Sequence, residues 1–215
     1  MKEFPRQIVH LSGLVFVLLA IFIDKYMISM YFFMVSAFFM FYSIMFTQQR
    51  KGLTRIKEKF ERGFKHLVRN FEREDTKTPF IGAFWLYFAF GLTLLIFPLP
   101  IAIISCFIVA VSDSLSTIIG MRHGKRKIIG DKTLEGTLVF FISAFLITML
   151  FINFWVAIMT AIVAAIAELI PEMKPLRKLK EREILNDNFT VPIITAIFLT
   201  LVGTWFQAVP FISNL

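Results

Sequence analysis

Between two apolar runs, residues 113–137 read DSLSTIIGMRHGKRKIIGDKTLEGT, and the ionisable and small residues of that stretch are spaced for chemistry. At about 100° per residue, Asp113, Ser116, Thr117, Gly120 and Gly124 share one helical face. A carboxylate at membrane depth is costly and usually functional, so Asp113 is read as a working group. Gly120 and Gly124 also form a small-xxx-small pair, which would equally serve close helix packing. The loop that follows carries Lys125, Arg126, Lys127 and Lys132, with Gly124 and Gly130 free to turn backbone amides toward an anion. A helix expected to begin near Thr133–Glu135, with Thr133 as its N-cap, points its N-terminus at the same place. Together these make a phosphate cradle, although the positive-inside rule accounts for Arg122 and Arg126 just as well. No GxxxxGK[ST] occurs, so the loop is not of the Walker type.

Other ionisable groups stand at helix ends. Glu168 closes a stripe of small residues, Ala157, Ala161, Ala164 and Ala165. Asp187 and Asn188 open the last apolar run, with Pro192 expected in its first turn, an ordinary helix start that could also face a nucleotide or metal. Arg6 and His10 lie one helical turn apart at the start of the first run.

These residues need a scaffold, and the composition supplies it. The chain of 215 residues is 57% hydrophobic with a mean hydropathy of +0.74, well above the ~45–50% apolar share of soluble domains. Seven apolar segments are expected at about 7–23, 26–47, 79–97, 101–120, 136–152, 154–170 and 189–210, near the ~20 residues a membrane crossing needs. The fold expected is therefore all-α, a single polytopic membrane helix bundle over 1–215. Of the 23 Lys and Arg residues, all but Lys25 fall in connectors on one side, which places the N-terminus in the cytoplasm. The net charge of +8 is explained by this sidedness and not by nucleic-acid binding. Lys2 and Arg6 precede an apolar run without a small-residue cleavage site, so the first helix is expected to be retained. Residues 50–73 place Leu53, Ile56, Phe60, Phe64, Leu67 and Phe71 on one stripe against basic residues, the pattern of an interfacial amphipathic helix. The single Cys106 leaves no disulfide framework.

Taken together, these motifs resemble the CTP-dependent polyprenol kinases, the family of dolichol kinase, phytol kinase and the CTP-dependent diacylglycerol kinase. The matching elements are Asp113, Ser116, Gly120, Gly124-Lys125 and Lys132-Thr133-Leu134-Glu135-Gly136, then Asp187, Asn188, Thr190 and Pro192, with Arg6 to His10 as the opening element. Gln7 stands where the family usually has Lys, and Ser116 where it has Ala. The resemblance spans nearly the whole chain, with its core at about 110–192. It implies transfer of a γ-phosphate from CTP, or from ATP, to the primary alcohol of a membrane lipid at the cytoplasmic face of a prokaryotic membrane.

On that reading Asp113, Lys132 and Glu135 are catalytic. Arg6, Gly120, Gly124, Lys125, Lys127, Thr133, Gly136 and Asn188 hold the nucleotide. Asp113, Glu135, Glu168 and Asp187 are the candidate ligands of Mg²⁺, and His10, Ser116 and Thr117 face the lipid. Two other readings fit the same residues less closely: a cytidylyltransferase that makes a CDP-lipid, and a small transporter. Polar residues gathered at one membrane face favour an enzyme over a transporter with midplane sites.

Overall fold

A computed structural model describes residues 3–47, 78 and 80–206. The amphipathic helix expected at 50–73 lies outside the described residues. Within them the chain is a bundle of helices. Helices α1 (Glu3–Leu19), α2 (Lys25–Thr47) and α3 (Ile81–Ile96) come first. A continuous helical rod follows: α4 (Leu99–Phe107), a π-helical segment (Ile108–Asp113) and α5 (Ser114–His123). Then come α6 (Leu134–Met149), α7 (Phe154–Leu169), the one-turn α8 (Arg177–Glu181) and α9 (Asp187–Phe206).

The starts and stops are chemical. Asp24 Oδ1 accepts from the amides of Tyr26 (2.8 Å) and Met27 (3.3 Å), opening α2. Thr133 Oγ1 accepts from the Gly136 amide at 3.2 Å, the N-cap expected for α6. Asn153 opens α7 by accepting from Val156 N at 3.1 Å. Asn186 Oδ1, rather than Asp187, takes the cap position of α9, accepting from Asn188 N at 3.0 Å. Pro192 is the sixth residue of α9, inside the helix and past the first turn expected for it.

Two features depart from an all-helical expectation. The basic loop is not irregular throughout: β1 (Lys127–Ile129) and β2 (Lys132–Thr133) pair antiparallel. Gly130 turns the hairpin at φ +54°, in the left-handed region that glycine enters without strain. Strands this short carry no periodicity to betray them. The second feature is the π segment, which ends at Asp113. Such widened turns re-aim the side chains that follow and recur at functional sites.

Aromatic contacts join α2 to α3, with Phe32 edge-on to Phe90 at 5.5 Å and Phe39 stacked on Tyr87 at 5.7 Å. The alanine stripe of α7 is fully buried at Ala157, Ala161 and Ala164, and α7 packs between α6 and α9. Large apolar side chains cover the outside instead, including Phe22, Leu150 and Trp155, a surface compatible with a bilayer. Among the described residues, three helices are long and apolar enough to cross a membrane: Lys25–Met45, Leu99–His123 and Phe154–Glu172. Four shorter apolar helices stand at the other expected segments, Gln7–Leu19, Ile81–Ile96, Leu134–Met149 and Asp187–Gly203.

Candidate functional site

The hairpin folds back over the ends of α5, α7 and α9 and delivers Lys132 to a point where three carboxylates meet. Its Nζ lies 2.8 Å from Asp187 Oδ2, 3.0 Å from Glu168 Oε1 and 3.7 Å from Asp113 Oδ1. Asp113 and Glu168 are almost wholly buried, at 4% and 1% exposure. Ser116 Oγ donates to Glu168 Oε1 (3.2 Å) or to the carbonyl of Asp113 (3.1 Å), tying the first turn of α5 to the end of α7. Burial opposes charge on Lys132, but Asp187, Asp113 and Glu168 outweigh it and hold the ammonium well above the ordinary lysine range.

This cluster lines a cleft of ≈590 Å³. Of the expected site residues, His10, Ser116, Thr117, Gly120 and Gly124 also line it, as do Lys127, Thr133, Gly136 and Asn188. His10 is buried at 2% exposure on α1, beside Gln7, whose Oε1 accepts from Ser114 Oγ at 2.7 Å. Asn188 donates from Nδ2 to the Gly82 carbonyl at 3.0 Å, fixing α9 to α3.

The glycines serve close approach. A Cβ on Gly120 would meet Thr133 Oγ1 at 3.1 Å, and one on Gly136 would meet the Ser116 carbonyl at 3.1 Å. Lacking side chains, α5 and the start of α6 touch, and the N-terminus of α6 reaches the cleft. That position suits an anion, because the first-turn amides of a helix point outward.

Two expected members stand apart. Glu135 does not join the carboxylate cluster: it accepts from the amides of Lys125 (3.1 Å) and Arg126 (3.3 Å) and so pins the loop. Lys125 is exposed on the loop and does not reach the cleft wall. The side chain of Arg6, in α1, lies outside the described residues. The structure also adds residues to the cleft wall. Glu172, buried at 3%, ion-pairs with Lys180 and packs against Gly130 at the hairpin turn. Glu172 follows Glu168 by one helical turn, the only signal in the sequence that could have found it.

Among the described residues no three His, Cys, Asp or Glu groups are arranged to hold a metal ion, so the expected Mg²⁺ ligands Asp113, Glu135, Glu168 and Asp187 are not brought together as a metal site; Lys132 stands where three of them converge.

No protein-family model matches the chain, and no solved structure matches it. An uncharacterized protein of Rickettsia prowazekii (strain Madrid E) is 26% identical over 148 residues, covering 69% of this chain and 70% of that protein.

Proposed function

We propose that the chain is an integral-membrane kinase that moves the terminal phosphate of a nucleoside triphosphate, CTP by the resemblance of its motifs, onto the primary alcohol of a membrane lipid of the polyprenol type. The bundle crosses the membrane seven times with its N-terminus in the cytoplasm, so the cleft opens to the side where nucleotides are. The observation that carries this reading is the convergence of Lys132 with Asp113, Glu168 and Asp187 at the floor of the cleft, beside the helix N-terminus at Thr133.

Phosphoryl transfer needs positioning and charge neutralisation more than covalent chemistry from the protein. The lipid hydroxyl approaches Asp113 from the helix side. Its oxygen attacks the terminal phosphorus, its proton passes to the Asp113 carboxylate, and the bond to the bridging oxygen breaks to release the nucleoside diphosphate. Lys132 and the first-turn amides of α6 carry the phosphate charge, and Lys127 stands at the rim. Glu168 Oε2 is buried without a hydrogen-bond partner, an oxygen donor of the kind that suits Mg²⁺. Mg²⁺ entering with the nucleotide would neutralise phosphate oxygens; Asp113, Glu168 and Asp187 are held by Lys132 and are not grouped as ligands for it.

Purified protein incubated with Mg²⁺, γ-labelled CTP and a panel of polyprenols, phytol, farnesol and diacylglycerol should pass label to one acceptor, and Asp113→Asn should abolish the transfer. A near-native rate in that variant would remove Asp113 from the chemistry.

A further inference from the structure

The connector between α7 and α9 carries charge and apolar surface that the cleft does not use. Lys174, Arg177, Lys178 and Arg182 are exposed, and none of them lines the cleft. Met173, Leu179 and Ile184 are exposed among them. The segment is folded, not a free tether. At the end of α8 the Glu183 amide donates to the Lys180 carbonyl (2.8 Å) and the Ile184 amide to the Leu179 carbonyl (2.9 Å), with Glu183 left-handed at φ +61°. This is a Schellman closure, and it brings Ile184 back to the level of Leu179. Trp85 Nε1 donates to the Glu183 carbonyl at 2.9 Å and fastens the turn to α3.

We infer that the 173–184 segment is a docking surface for the headgroups of anionic phospholipids in the bilayer that holds the bundle. It follows a helix of spanning length, Phe154–Glu172, and precedes the apolar helix that opens at Asp187, so it lies at the membrane surface. Membrane sidedness explains basic residues anywhere in such a connector. It does not explain exposed Leu179 and Ile184 set together between them. Interfacial segments combine these two features: apolar groups enter the headgroup boundary while cations meet anionic lipid. Glu181 offsets Arg177 at 3.4 Å, which leaves Lys174, Lys178 and Arg182 as the main attractors. Glu172 ion-pairs with Lys180 and packs against Gly130, so a segment held at the lipid surface also steadies the hairpin that carries Lys132.

The inference needs the membrane but not phosphoryl transfer, so its test uses neither nucleotide nor lipid alcohol, and the two readings fail separately. Full-length protein is placed in nanodiscs of phosphatidylcholine alone and of phosphatidylcholine mixed with phosphatidylglycerol. Amide hydrogen exchange is then followed over 174–184, where local opening sets the rate. Exchange should be at least ~5-fold slower in the anionic discs, and salt at about 0.5 M should remove most of that difference. Lys174→Gln combined with Lys178→Gln and Arg182→Gln should bring the two discs together. Equal exchange of the native chain in both discs, or a difference that survives salt or the three substitutions, would overturn the docking. Should the triple variant fail to purify, the salt comparison on the native chain decides alone.

Discussion

The ammonium of Lys132, on β2, lies 2.8 Å from the Asp187 carboxylate in the first turn of α9, 55 residues further along the chain. This bond fastens the hairpin to the last helix, and Glu168 and Asp113 extend the tie to α7 and the π segment. Losing the cation should cost the fold more than losing the partly exposed Asp187 carboxylate. In metal-free buffer, Lys132→Met leaves buried Asp113 and Glu168 facing each other and should cost about 3–5 kcal/mol. Asp187→Asn, at a side chain 25% exposed, should cost about 1 kcal/mol. Thermal unfolding in one detergent ranks the two; equal losses would contradict the assignment.

The same cluster gives a pH signature. The ammonium is held above the ordinary lysine range, against its burial, by Asp187, Asp113 and Glu168. A raised cationic pKa contributes stability that is complete below the unfolded value, ~10.4, and is lost as pH climbs through the folded value. The gap in melting temperature between the native chain and Lys132→Met should stay level from pH 7 to 10 and narrow above. Narrowing already by pH 9 would mean the ammonium is not so held.

Packing at the α5–α6 corner offers a stability test independent of charge. A Cβ on Gly124 would overlap the Gly120 carbonyl and lie 2.7 Å from Thr133 Cγ2. Gly124→Ala should therefore force α5 from the hairpin, costing about 1–3 kcal/mol. Gly203→Ala meets nothing within 4 Å and should gain up to about 1 kcal/mol from helix propensity. Paired melting curves check both signs.

Glu135 should act on nucleotide binding rather than on chemistry. Its carboxylate holds the amides of Lys125 and Arg126 and so shapes the loop from a distance. Glu135→Ala should raise the nucleotide KM by roughly 3–10-fold and leave kcat within about 2-fold. A fall in kcat of ~100-fold with KM unchanged would restore it to the reacting centre.

The apolar runs show where the helices lie because burial in lipid or core leaves long continuous signals: 154–170 is expected and Phe154–Leu169 is found. Thr133 is legible as a cap because its side chain acts locally. The hairpin and the π segment are not legible, since a two-residue strand and a one-residue widening leave no period. Asp113, Lys132, Glu168 and Asp187 each stand out as candidates, but only the fold brings them to one point and separates Glu135 from them. Their meeting depends on glycine contacts between α5 and α6 and on the alanine face of α7, which are tertiary facts.

The most direct measurement runs CTP labelled at the α-phosphate and at the γ-phosphate in parallel, with the purified protein, Mg²⁺ and a polyprenol. The account predicts γ-label in the lipid phase and α-label left in CDP. Label from the α-position in the lipid, with pyrophosphate released, would instead mark a cytidylyltransferase, and no label from CTP or ATP in any acceptor would contradict a kinase altogether.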